Sequence, residues 1–185
     1  MATHLVIGDP HCTPKASNER FLWAGRLAAD YKVSHIICMG DFCSMDSLST
    51  YDRGKKSFEG RRYQKDMDHS HDALSLFNKG LGKHKARKIM LHGNHEDRID
   101  RFVEDNPELD GTVKIADLKF KQYGWQEIPY KKIKVIDGVH YCHHLPSGIM
   151  GSAISGENIA RSILTKHKVS ATVGHSHLLD YAVST

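Results

Sequence analysis

The 185-residue sequence has no apolar run near the ~20 residues of a membrane span, and no basic leader followed by a long apolar stretch. A soluble, cytoplasmic protein with no membrane partner is therefore expected. Cysteine is scarce. Cys12, Cys38, Cys43 and Cys142 stand singly, without C-x-x-C spacing, which argues against a disulfide framework or a zinc knuckle and favours reduced thiols. Internal repeats and low-complexity tracts are also missing, so nothing divides the chain. Its length suits one domain over residues 1–185, large enough to bury about two-thirds of its unfolded surface. A net charge of +4 suits an anionic substrate without demanding one.

Histidine, by contrast, is plentiful, with 14 residues. It is the commonest metal ligand and a near-neutral proton donor, so its placement matters more than its number. The apolar run Ile89-Met90-Leu91-His92 leads into Gly93-Asn94-His95-Glu96, and the same habit recurs along the chain. "VIGDPHC" ends in Asp9 and His11, "IICMGDF" in Gly40-Asp41, and "TVGHSHL" in His175 and His177. Strands are predicted at His4–Gly8, Ser34–Met39, Lys88–Leu91, Lys132–Ile136, Val139–Cys142 and Ala171–Val173. Helical periodicity falls between them, over Asn18–Tyr31, Phe58–Leu81 and Gly156–Lys166. Alternating strands and helices predict an α/β fold. Asp137-Gly138 is a hairpin signal, so part of the sheet structure should be antiparallel.

In order, the polar motifs are Asp9-Pro10-His11, Gly40-Asp41, Gly93-Asn94-His95-Glu96, His143 and Gly174-His175-Ser176-His177. This series resembles the calcineurin-like metallophosphoesterase superfamily, whose motifs read D-x-H, GD, GNH(D/E), H and GHxH. The resemblance implies an αββα sandwich of two mixed β-sheets flanked by helices, with two divalent ions at the carboxyl ends of the strands. It also implies a C-terminally shortened or minimal second sheet, since relatives usually continue past GHxH and this chain offers at most one more strand, Leu178–Ser184. Two such ions ~3.5–4 Å apart clamp a phosphoryl group and lower the pKa of a bound water that attacks phosphorus. Carried over by motif position, Asp9, His11 and His177 hold one ion, Asn94, His143 and His175 hold the other, and Asp41 bridges both. Nitrogen and oxygen donors without thiolate suit manganese first, with iron, zinc or nickel as alternatives. His95, left over from metal binding, is implied as the group at the substrate that protonates the leaving oxygen or stabilises its charge. His144 offers the same chemistry as His143, which is preferred because it directly ends a strand.

The series departs from the protein Ser/Thr phosphatases, whose second and third motifs read GDxxDRG and RGNHE. Both phosphate-gripping arginines are missing from Gly40-Asp41-Phe42-Cys43-Ser44-Met45-Asp46 and His92-Gly93-Asn94-His95-Glu96, which disfavours that branch. Residues 46–82 form a basic loop-helix insertion containing "YDRGKKSFEGRRYQK". It is either a solvated helix start or a lip on which Arg61 and Arg62 steer phosphate or nucleic-acid backbone. The expected activity is hydrolysis of phosphate mono- or diesters, with a DNA or RNA nuclease as the alternative and a non-catalytic scaffold disfavoured. Small GNHE-bearing enzymes of this type are familiar from bacteria and phages, which fits a bacterial or phage-infected host cell.

Overall fold

The computed structural model describes residues 2–184. Its order is β1 (His4–Ile7), α1 (Glu19–Asp30), β2 (His35–Cys38), α2 (Tyr63–Leu81), β3 (Arg87–Leu91), α3 (Asp97–Asp105), β4 (Trp125–Ile128), β5 (Lys134–Ile136), β6 (Val139–Cys142), α4 (Ile159–His167) and β7 (Ala171–Val173). The first sheet, β1-β2-β3-β4, is wholly parallel, as strands joined through crossover helices must be. Mixing is confined to the second sheet, β5-β6-β7. There β5 and β6 pair antiparallel through the Asp137-Gly138 turn, while β6 and β7 run parallel. Both turn residues have positive φ, 48° and 81°, as the tight hairpin requires.

Side-chain alternation sets the layers, because successive residues of a strand face opposite sides. Ile36, Cys38 and Met90 point toward Phe21 and Ala28 of α1 and Met67, Leu74 and Phe77 of α2. Their neighbours Ile37, Met39, Ile89 and Leu91 meet Ile136 and Tyr141 of the second sheet. On the outer face of that sheet Cys142, Ala171 and Val173 pack with Ile159 and Ile163 of α4. The layers are thus helix pair, sheet, sheet and helix, the expected sandwich. All four cysteines are buried free thiols.

Three local differences from the sequence reading have physical causes. Helix α2 starts at Tyr63 rather than Phe58, so residues 46–62 form a loop with short 3-10 turns at Asp46–Leu48 and Lys56–Phe58. The remainder of residues 46–82 is mainly helix α2, which puts Met67, Leu74 and Phe77 into the core. Helix α3 and strand β4 are additional: in α3, DRIDRFVED, the apolar residues Ile99, Phe102 and Val103 do stand at helical spacing, but its 9 residues are fewer than the roughly 11 over which such periodicity is read. Residues 178–184 form no strand, and Leu179 and Tyr181 are exposed. No helix among the described residues is long and apolar enough to cross a membrane.

Candidate metal centre

The exits of β1, β2, β3, β6 and β7 gather on one side and bring the polar motifs together. The turns there are tight. His11, Asp41, His175 and His177 adopt left-handed backbone conformations, with φ of 44°, 47°, 70° and 55°. Such values are uncommon for non-glycine residues and persist only where surrounding contacts enforce them. Part of that enforcement is pairing between loops: His11 N–H donates to the Asp41 carbonyl at 2.9 Å and Cys12 N–H to the Phe42 carbonyl at 2.7 Å. The rest comes from Glu96, which is fully buried. Its carboxylate accepts the N–H groups of Gly93 at 2.7 Å, Asp41 at 2.9 Å and Cys43 at 3.1 Å, tying the second motif to the third. Gly93 and Gly174 are needed for close approach, since a Cβ on them would strike the carboxylates of Asp41 and Asp9.

Two groups of donor atoms result. In the first, His11 Nε2 and His177 Nε2 face each other at 3.1 Å, and His177 Nε2 lies 3.4 Å from Asp9 Oδ2. In the second, His143 donates Nδ1–H to the Met39 carbonyl at 2.9 Å, which leaves its Nε2 as a bare lone pair. That lone pair sits 3.0 Å from Asn94 Oδ1 and 3.2 Å from His175 Nδ1, and the last two atoms are 2.8 Å apart. Asp41 stands between the groups, with Oδ2 3.7 Å from His11 Nε2 and 3.4 Å from His143 Nε2. Its other oxygen accepts His95 N–H at 2.9 Å.

The donor set fits metal ions. Atoms bound to one ion at ~2.0–2.2 Å lie roughly 3–3.5 Å from one another, the spacing seen in both groups. Asp9 Oδ1 is buried with no hydrogen-bond partner, a cost that a cation would remove. Burial pushes the Asp41 carboxyl up to about 7, against the opposing pull of the His95 N–H and the more distant Arg98. Burial, then the neighbouring imidazoles, lowers the pKa of His11 and His175 and so favours the neutral, ligating form. His144 lies close enough to form a potential site with His143 and His175, and its Nδ1 is buried without a partner. His143 is nevertheless the residue that touches Asn94 and approaches Asp41.

The model of the calcineurin-like phosphoesterase family matches residues 3–179. The chain belongs to that family. Its members are metal-dependent phosphoester hydrolases, which agrees with the converging histidines and aspartates. No individual curated protein matches the chain.

In this phosphoesterase His95 stands beside the donor groups with both nitrogens occupied. Its Nδ1–H donates to the Ser44 carbonyl at 2.7 Å, and its Nε2 accepts from Arg98 Nη2 at 3.2 Å. Burial, helped by Arg98, pulls its pKa down to about 3, so the free protein carries a neutral ring. Arg61 and Arg62 are not brought to this cluster. Arg61 turns into its own loop, donating to Asp52 Oδ2 at 2.7 Å, the Asp46 carbonyl at 3.2 Å and the Ser57 carbonyl at 3.1 Å. Arg62, exposed, donates to the Arg61 carbonyl at 2.7 Å. Two residues that the sequence reading gave no role, Glu96 and Arg98, are the ones in contact with the motif loops. Arg98 follows His95 by three residues, but that spacing becomes meaningful only once α3 is known to begin there.

Proposed function

We propose that this calcineurin-like phosphoesterase is a binuclear enzyme that hydrolyses phosphate mono- or diesters. The reading rests on one observation: Asp41, a buried carboxylate, has one oxygen between two groups of donor atoms that face each other at about 3 Å. Asp9, His11 and His177 would hold one ion and Asn94, His143 and His175 the other, with Asp41 shared. Manganese is the first choice for these nitrogen and oxygen donors, with iron, zinc or nickel as alternatives. When bound, the ions supply Lewis acidity and a water of lowered pKa.

The chain's own residues do the remaining work. Glu96 and the left-handed turns hold the ligands in place before anything binds, so little reorganisation is needed. The Ser44 carbonyl fixes the His95 ring, and its Nε2, which accepts from Arg98 in the free protein, lies 3.8 Å from Asp41 Oδ2 and becomes available when Arg98 turns away. His95 takes up a proton as the negative phosphoryl group arrives and raises its proton affinity, then delivers it to the leaving oxygen. Manganese-loaded protein assayed on p-nitrophenyl phosphate, bis-p-nitrophenyl phosphate and single-stranded DNA tests the reading. Ester hydrolysis that a chelator abolishes and manganese restores supports it, and cleavage of DNA alone would favour a nuclease. Protein with both ions bound that hydrolyses none of the three would refute it.

A further inference from the structure

We infer that Arg98 is the residue that recognises substrate phosphate and makes this site prefer phosphomonoesters over diesters; the inference rests on the phosphoesterase reading above. Arg98 lies in the first turn of α3, directly behind the His95 loop. Its half-buried guanidinium donates through Nη1 to the Ser44 carbonyl at 2.8 Å and through Nη2 to His95 Nε2 at 3.2 Å. Both partners are neutral. Among the described residues Arg98 forms no ion pair, whereas Arg101 pairs with Asp97 at 3.1 Å and Arg61 with Asp52 at 2.7 Å. The carboxylates of Asp41 and Asp46 act on this guanidinium without touching it, so a group drawn partly out of water has only neutral acceptors in direct contact and room for an anion.

Its position says which anion. The neighbouring His95 Nε2 is 3.8 Å from Asp41 Oδ2, so the guanidinium stands one side chain away from the carboxylate between the two donor groups. A phosphoryl group seated there would come within reach of its fork, which suits paired phosphate oxygens. This supplies the grip missing at the two motif positions where protein phosphatases carry arginine. A monoester has three non-bridging oxygens and close to two negative charges near neutral pH, whereas a diester has two such oxygens and one charge. The added positive charge of Arg98 is matched by the monoester's second negative charge, and a diester has nothing equivalent to offer it.

The test compares metal-loaded parent, Arg98→Ala and Arg98→Lys on p-nitrophenyl phosphate and its bis ester, with bound metal counted in each sample. Arg98→Ala should lower kcat/KM for the monoester by roughly 10- to 100-fold, the scale of a lost charge-assisted contact, and change the diester by less than about threefold. Inhibition by inorganic phosphate should weaken by the same factor as monoester hydrolysis. Arg98→Lys, which keeps the charge but not the fork, should recover part of both. Equal losses on the two esters, unchanged phosphate inhibition, or loss of bound metal would overturn the inference. If the parent hydrolyses neither ester, the phosphoesterase reading fails. Calorimetric titration of inorganic phosphate into metal-loaded parent and Arg98→Ala then decides the role of Arg98 separately: weaker binding by the variant supports it, and equal affinity overturns it.

Discussion

Two groups of histidines sit at opposite ends of the same strands, and their hydrogen bonding differs. At the amino ends of β1 and β2, His4 and His35 are cross-strand partners near Asp137 of the hairpin turn, close enough together to resemble a metal site. Yet both nitrogens of His4 are paired, Nδ1 with the Tyr141 hydroxyl at 2.9 Å and Nε2 with Asp137 Oδ2 at 2.9 Å. A neutral ring that accepts from one partner and donates to the other satisfies all of these contacts and joins the two sheets. At the carboxyl ends, His11 faces His177, His143 faces Asn94, and Asp9 Oδ1 accepts no hydrogen bond. Clustering alone does not distinguish a metal site from a structural network; what does is whether hydrogens within the chain can satisfy the acceptors.

The largest effect should come from Asp41→Asn, which keeps the shape of the side chain between the two groups but removes its charge. Activity should fall by about three orders of magnitude, the scale of several kcal/mol of lost charge stabilisation, and elemental analysis should find fewer ions. Full metal content and full activity in that variant would erase the distinction between the two ends. His95→Ala should leave metal content intact and slow hydrolysis by roughly 10²–10⁴-fold, more for an alkyl ester than for a nitrophenyl ester, whose leaving group needs no proton. Equal slowing of both esters would remove the general-acid role. Glu96→Ala leaves three buried N–H groups without their acceptor. It should cost roughly 2–4 kcal/mol in chemical denaturation of the metal-free protein, and a loss below 0.5 kcal/mol on this scale would show that the loops hold themselves. The smallest effect belongs to the other end: Asp137→Ala should cost about 0.5–1 kcal/mol and leave the number of bound ions unchanged.

The contrast also explains what the sequence could and could not reveal. The motif residues are short contiguous groups at the exits of apolar strands, so Asp9, His11, Asp41, Asn94, His175 and His177 can be picked out from spacing and family resemblance. The layered fold is equally legible, because β-branched strands and amphipathic helices alternate clearly through β3. Contacts between segments distant in the chain are not legible. Glu96 reaches N–H groups 53 and 55 residues away, and nothing in its local sequence announces that. Arg98 lies on a helix of 9 residues, too short for its apolar spacing to stand out, and its neutral partners become visible only in three dimensions. The basic stretch shows the same limit: charge counting cannot tell that Arg61 turns inward to Asp52 nine residues earlier.

On the binuclear reading proposed above, the acceptors at the carboxyl ends are held for two cations. The most direct test of that reading is elemental analysis of manganese-loaded, desalted protein beside His143→Ala and His4→Ala. About two ions per chain are expected for the parent and for His4→Ala, and about one for His143→Ala. Parent protein that is folded yet retains close to none, or loses metal with His4→Ala and not with His143→Ala, would contradict the account.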